Sequence, residues 1–241
     1  MGSRRRVAMV AFGLWLTGIS QAGCGGQPLM VKEPKELLRL SVSGLAGIDV
    51  YRFSGESGVK DGGSMKEVVR FGGQVEHHDQ IRLEAASARQ IEQYAVRDPM
   101  AYLKQVQAEA QRTELEQVES NTRSTVLLIH ADPELARNRW VRTLSAKWED
   151  TGQFGAKKLD KNQVSHSLPG KKDVEIRASR NLLEEMVQSL SVDTTYRLVI
   201  DRKKLLPGKL TENTVLHYKR AGRPYSESRQ LTLEIKPDLR S

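Results

Sequence analysis

The feature that most constrains this chain is a single cysteine that follows a short apolar segment near the amino terminus. Cys24 is the only cysteine among 241 residues, so no internal disulfide can stabilise the fold. Residues 7–16 form an apolar run behind the arginines at 4–6, a layout typical of a signal peptide. The run is too short to span a bilayer, which takes about 20 apolar residues. The fold must therefore come from packing of the residues that follow Cys24.

The residues around this cysteine carry a recognisable pattern, Gln21-Ala22-Gly23-Cys24. Small residues directly before a cysteine resemble the lipobox of bacterial lipoproteins, although Gln21 stands where that family prefers an aliphatic residue. The resemblance implies cleavage before Cys24 and a diacylglycerol on its thiol. We expect a signal peptide over residues 1–23, a lipidated tether over 24–33 and one domain over 34–241. The alternative is an ordinary secretory signal with a cysteine nearby by chance, and both Sec and twin-arginine export stay open.

Amino-acid composition limits the classes of partner that such a protein is expected to bind. The chain has a formal net charge of +8, and loss of the three arginines in residues 1–23 would leave +5. The positive residues are spread along the chain, with the densest groups at 157–158, 171–172 and 202–204. A nucleic-acid-binding protein would concentrate cations and aromatic residues in one stripe, so we expect no nucleic acid. We expect a location at the extracytoplasmic face of the cell membrane, held by the lipid on Cys24.

Helical periodicity is clearest in four stretches. Residues 34–46 repeat apolar side chains at helical spacing. Asp98-Pro99 and Asp132-Pro133 both read as an N-cap followed by a proline in the first turn. The second of these starts a stripe at Ala136, Trp140, Leu144 and Trp148, and a further helix is expected over about 178–190. We expect residues 111–123 to be a helix extension or a loop, and residues 150–173 to be an exposed connection.

Alternating residues predict strands at both ends of the chain. Val69, Phe71, Gly73 and Val75 fall on one face of a strand, and Ile81 and Leu83 resume after a polar corner. Thr125 to Ile129 reads as a short buried strand. Later strands are expected at residues 196–201, 206–210, 215–219 and 231–235, with a hairpin turn at 221–224. The predicted class is α+β, a curved antiparallel β-sheet (an incomplete barrel) with helices packed across its concave face.

The order of these elements resembles a known group. The lipobox, the first helix, "YRFSGESG" and "VVRFGGQVEHHDQIRLE" are similar to the opening of LolA-like bacterial lipoproteins. The closing stretch "YRLVIDRKKLLPGKLTENTVLHYKRAGRPYSESRQLTLEI" is similar to their last strands. The likeness is closer to uncharacterised lipoproteins of Gram-positive spore-formers. It implies a curved sheet closed by helices, which holds a lipid or serves as a platform for proteins.

Candidate chemistry is sparse. His77, His78 and Asp79 could ligate a metal, but adjacent strand residues point to opposite faces, so an exposed corner is the simpler interpretation. The stripe of Trp140, Leu144 and Trp148 could line a ligand cavity, although core packing explains it as well. No serine motif of a hydrolase occurs, and we expect neither an enzyme nor a cofactor.

Two functions fit these residues. The first is a membrane-anchored, non-enzymatic scaffold or protein-interaction module of the cell envelope. The second is a carrier of a lipid or another hydrophobic ligand in a cavity under the sheet. The charge-rich and aromatic-poor composition favours the first, because few residues are left to line a large apolar cavity.

Overall fold

Eight strands form one antiparallel sheet in this computed structural model. The structure describes residues 33–61, 64–84, 96–157 and 169–238, without the side chains of residues 61, 147–157 and 169–176. The strands are β1 Tyr51–Asp61, β2 Ser64–Glu76, β3 Gln80–Leu83, β4 Ala110–Leu115, β5 Ser124–Ala131, β6 Ser191–Asp201, β7 Pro207–Arg220 and β8 Arg223–Pro237. Their order is β3-β2-β1-β8-β7-β6-β5-β4. The sheet is open, with β3 and β4 at its edges.

Four helices lie in the described parts of the chain: α1 Pro34–Ala46, α2 Pro99–Glu109, α3 Pro133–Lys157 and α4 Pro169–Ser189. The predicted caps of α2 and α3 are confirmed. The Asp98 carboxylate accepts a hydrogen bond from the Ala101 N–H at 2.9 Å, and Asp132 accepts from the N–H groups of Glu134 and Leu135 at 2.9 and 3.0 Å. Each aspartate thus satisfies donors that have no partner inside the helix. None of these helices is long and apolar enough to cross a membrane.

One face of the sheet is buried and the other is largely open to solvent. Alternate residues of β6 are buried, in the sequence Val192, Thr194, Tyr196, Leu198 and Ile200. Leu198 pairs with Leu210 across the sheet, and Leu210 pairs with Leu233, so three fully buried leucines form one row. Because side chains alternate along a strand, this register commits the whole set to one face.

The helices contribute to the same core. Leu38, Val42 and Leu45 of α1 and Leu103 and Val106 of α2 belong to one hydrophobic cluster with the inward residues of the sheet. Helix α3 packs against β6, α4 packs against β7, and α1 contacts α2, β4 and β7. The predicted α+β class with one antiparallel sheet is confirmed.

Several sequence-based boundaries were wrong. Strands β6 and β8 begin at Ser191 and Arg223, before the predicted strands at 196–201 and 231–235. Residues 110–115 form strand β4, not a helix extension or a loop, because they pair with β5 at the edge of the sheet. Residues 207–210 and 215–219 belong to the single strand β7, whose pairing with β8 runs unbroken from Lys209 to Arg220. The expected connection at 150–173 is partly helical, since α3 continues to Lys157 and α4 starts at Pro169. Pairing with neighbouring strands decided the cases that concern strands.

Turns followed their local chemistry more closely. Ala221 and Gly222 connect β7 to β8 with φ of 51° and 72°, which is the left-handed backbone of a two-residue hairpin turn. The predicted hairpin is confirmed, although β8 already begins at Arg223. The polar corner after β2 is also confirmed, with a turn at residues 77–79.

Candidate functional site

The metal-ligand candidates lie on the turn between β2 and β3. His77, His78 and Asp79 are all exposed, and both histidines adopt left-handed backbone, with φ of 51° and 68°. His78 Nε2 lies 3.8 Å from Asp49 Oδ1, and both side chains are more than half exposed. Within the described ranges, no three metal-binding side chains converge to hold an ion.

The tryptophan stripe of α3 faces the core for part of its length. Ala136 and Trp140 are buried and Leu144 is half-buried against the hydrophobic cluster. The Trp148 side chain lies outside the described residues, as does Cys24. The Trp140 ring lies beside two guanidinium groups, with Arg139 Cζ at 5.9 Å and Arg229 Cζ at 5.2 Å from its centroid.

The most distinctive feature of the core is a cluster of buried polar side chains between α2, α3 and the sheet. It consists of Tyr102, Gln105, Glu109, Arg139, Thr194, Tyr196, Glu212 and Thr214, which we call the buried network. The carboxylates of Glu109 and Glu212 are each 6% exposed and the Arg139 side chain is 14% exposed. Two acids and one arginine thus share a space that is almost dry.

Secondary structure brings these groups together. Tyr102, Gln105 and Glu109 follow one another at spacings of three and four residues, so they lie on one face of α2. Tyr196 of β6 and Glu212 of β7 are direct cross-strand partners, and both point to the buried face. Arg139 reaches this pair from α3, next to the buried Trp140.

Glu212 is the most heavily bonded member. Arg139 Nη1 and Nη2 each donate to Glu212 Oε1 at 3.0 Å. The Thr214 hydroxyl donates to the same oxygen at 2.8 Å, and the Tyr102 hydroxyl donates to Oε2. Both carboxylate oxygens therefore have donors. A further bond of 2.9 Å links the hydroxyls of Thr194 and Thr214.

Glu109 is held by a second set of donors. The Tyr196 hydroxyl donates to its Oε2 at 2.7 Å, and Gln105 Nε2 donates to Oε1 at 3.2 Å. Arg139 Nε lies 3.2 Å from Oε1, which is an ion-pair distance, although its N–H is not aligned for a hydrogen bond. Tyr196 also accepts a bond from Arg139 Nη2 at 3.0 Å, so its hydroxyl connects the arginine to Glu109.

The electrostatics of the network favour neutral tyrosines and a charged arginine. Burial and the Glu212 carboxylate raise the pKa of both Tyr102 and Tyr196 well above the ordinary tyrosine value, so both hydroxyls remain donors. Burial would lower the pKa of Arg139, but Glu212 and the other acidic and phenolic groups around it together outweigh burial, and the pKa lies above its ordinary range. Arg139 therefore stays charged and neutralises one of the two carboxylates, while hydroxyl and amide donors stabilise the other.

This arrangement connects α2, α3 and the sheet, and its polar groups are occupied by one another. Arg139 joins α3 to Glu109 at the end of α2 and to Glu212 in the middle of the sheet. The carboxylates are already occupied by donors, so neither is placed like an unpaired general base. The network is best described as a structural feature that holds two helices against the sheet.

The sequence did not predict this network. One signal for Glu212 exists in the sequence. It is separated by an even number of residues from Leu210, Thr214 and Leu216, so a continuous strand would place all four side chains on the same inner face. Splitting β7 into two strands hid that signal. For Glu109 and Arg139 the chain offers no comparable signal, because charged residues on helices are normally exposed.

We predict that Arg139→Leu destabilises the domain strongly. Removing the arginine leaves two buried carboxylates without a cation, and breaking a buried ion pair in this way costs about 3–5 kcal/mol. Arg142→Leu is the matched control, because Arg142 is an exposed arginine of the same helix. It should change stability by less than about 0.5 kcal/mol.

Urea unfolding followed by tryptophan fluorescence measures both variants. Equal stabilities for Arg139→Leu and Arg142→Leu would contradict the view that the network locks the helices to the sheet.

Comparison with known proteins gives no further guide to this site. No protein-family model and no curated protein matches the chain. The likeness to LolA-like lipoproteins therefore stays a prediction from element order and turn residues. The features that the described residues supply for a functional proposal are the buried network, the polar outer face of the sheet and the exposed turns at its two ends.

Proposed function

We propose that this protein is a lipid-anchored component of the bacterial cell envelope that works as a non-enzymatic protein-interaction module. The proposal of an anchor depends on Cys24 and the apolar segment before it. The choice of an interaction module over a lipid carrier depends on the buried network. A carrier would keep the space between helices and sheet apolar, whereas here Glu109, Arg139 and Glu212 occupy part of it.

The packing of the core supports the same choice. Large side chains such as Tyr51, Tyr196 and Leu103 are almost completely buried among the inward residues of the sheet. An acyl chain binds by replacing contacts with water, so it gains little where side chains already fill the space. A charged network beside an acyl chain would further disfavour binding. An apolar ligand offers no hydrogen bonds that offset the cost of burying charged groups.

The outer face of the sheet offers a surface for a protein partner. Along one cross-strand row, Glu56 of β1 is followed by Thr232 of β8 and Thr211 of β7. The exposed large apolar residues of the described chain are scattered: Val68, Leu135 and Tyr225 lie on β2, α3 and β8, and Val118 lies in the β4–β5 loop. A partner would therefore meet a polar surface, as in reversible complexes whose interfaces are about as polar as the rest of the surface.

We also propose the finer architecture of a LolA-like fold, in which the sheet curves into an incomplete barrel and the helices cross its concave face. Register shifts between Ser57 and Val59, between Ala110 and Arg112, and between Val199 and Ile200 support curvature, because bulges bend strands and increase their twist. Only one face of the sheet is buried, which supports the placement of the helices on that face.

The separation of the two edge strands tests this curvature. Seven strand spacings of about 4.8 Å separate β3 from β4 in a flat sheet, or about 34 Å. Spin labels at Arg82→Cys and Glu114→Cys, in a chain with Cys24→Ser, should give a clearly shorter distance. Labels at Arg70→Cys and Thr211→Cys, three spacings apart, should stay near about 14 Å. A distance of about 34 Å or more between the edges would reject the barrel-like shape.

The anchor is tested by metabolic labelling with a fatty acid. The wild-type protein should incorporate label and partition with membranes, whereas Cys24→Ser should lose the label, because no second thiol is present. The signal segment in the variant is unchanged, so export can be followed in parallel. Incorporation of label into Cys24→Ser would overturn the assignment of the lipid site.

The interaction module and the carrier differ in what accompanies the purified protein. We expect mass spectrometry of lipid extracts to find no acyl lipid in stoichiometric amount beyond the one attached covalently. We also expect a photo-crosslinker at Asn213, an exposed residue of β7, to give discrete adducts with envelope proteins in cells. A crosslinker at Arg142 on α3 is the control for random collisions. A stoichiometric lipid without discrete adducts would instead establish the carrier.

A further inference from the structure

The described chain enters the domain through α1, and α1 packs near one particular turn. A Cβ added to Gly44 of α1 would lie 3.1 Å from the Leu205 oxygen and 3.2 Å from Leu206 Cδ2. Leu205 belongs to the connection between β6 and β7. The start of α1 lies ten residues before Gly44, or about 15 Å along a helix, so Glu33 is within about 20 Å of Leu205.

Two basic turns meet beside this contact. The Arg202 N–H donates to the Arg123 oxygen at 2.9 Å, which joins the β6–β7 turn to the β4–β5 loop. Arg202 Nε also donates to the Thr125 hydroxyl at 2.9 Å. Arg123, Arg202, Lys203 and Lys204 are all exposed, and we call these four residues the basic end patch.

Three acidic side chains near the basic end patch have partners in the protein. Asp201 Oδ1 accepts the N–H groups of Lys203 and Lys204 at 2.9 Å, and these bonds lower the pKa of the carboxyl. Glu116 and Glu119 of the β4–β5 loop pair with Arg197 instead. The same loop carries Val118, whose side chain is 97% exposed. The four cations of the patch thus lie beside Asp201, whose carboxylate accepts backbone N–H groups, and beside a loop that exposes the Val118 side chain.

A second basic site lies at the opposite end of the sheet. Lys219, Arg220 and Arg223 flank the β7–β8 turn, where Glu185 accepts two backbone N–H bonds. Strand β7 spans 14 residues, so this hairpin tip is about 43 Å from the start of the strand in an extended geometry. The chain therefore enters the domain within about 20 Å of the Leu205 side of the basic end patch, whereas the hairpin tip is about twice as far from that patch.

We propose that the basic end patch docks on anionic lipid headgroups of the membrane that holds the anchor, and so fixes the orientation of the domain. This inference rests on the proposed lipid anchor. The segment from Cys24 to Glu33 can extend about 30 Å at most, which keeps the patch within reach of the bilayer. Cations near an anionic leaflet gain attraction that falls off within a Debye length. Docking leaves the outer face of the sheet free for a protein partner.

The test uses the mature lipidated protein reconstituted in vesicles of phosphatidylglycerol and phosphatidylcholine, or of phosphatidylcholine alone. A fluorophore at Thr122→Cys reports on the patch and one at Ser226→Cys reports on the hairpin end; both positions are exposed. Nitroxide-labelled lipids should quench the label at 122 in anionic vesicles at low salt. Quenching should decline at high salt and in neutral vesicles, and the label at 226 should remain bright.

Matched charge variants identify the cations responsible. Lys203→Ala with Lys204→Ala should reduce the ratio of docked to undocked protein by roughly 25-fold, since each cation near the surface contributes about fivefold. Arg220→Ala with Arg223→Ala removes the same charge at the other end and should change the ratio by less than about twofold. Thermal unfolding of both variants confirms that the fold is retained.

Each other outcome overturns the proposal. Equal losses in the two double variants would mean that only net charge acts, and quenching at 226 without 122 would mean that the hairpin docks. Insensitivity to lipid charge or salt would exclude headgroup binding. The mass of the purified protein shows separately whether Cys24 carries a lipid. If it does not, the proposed anchor fails, and the binding of the unanchored protein to the same vesicles still decides the role of the patch.

Discussion

Arg139 is the group on which the arrangement of the helices depends. Its guanidinium lies between Glu109 at the end of α2 and Glu212 in the centre of the sheet. Neither acid is exposed enough to recover its hydration, so each needs donors from the protein. The hydroxyls of Tyr102 and Tyr196 supply them, and raised pKa values keep both hydroxyls protonated. Helix α3 is thereby fixed in position against both α2 and the sheet.

In the proposed function, the network matters because it occupies space that an apolar ligand would need. The two proposed uses of the domain are to hold a hydrophobic molecule inside or to present its surface to other molecules. Charged groups with tightly bonded partners favour the second use. The outer face of the sheet and the basic turns at one end would then serve different contacts, the first with protein and the second with the membrane surface.

The sequence predicted those elements whose signals are local. Asp98 and Asp132 mark helix starts because a capping carboxylate needs only the next three residues. The turn at Ala221 and Gly222 was predictable for the same reason. Strand β4 was not, because its polar residues form a strand only through pairing with β5. The middle of β7 was also missed, since its polar stretch gains its conformation from β6 and β8.

By itself, the sequence established the lone cysteine behind an apolar segment, the α+β class and the starts of α1, α2 and α3. Only the tertiary structure decided which charged residues are buried. Arg139 and Glu212 are 73 positions apart, and Tyr102 and Glu212 are 110 apart. No local pattern relates such residues, because their burial depends on the register of the sheet and on the packing of two helices against it. The register of the sheet places these charged residues in the core, where they hold the helices against the sheet.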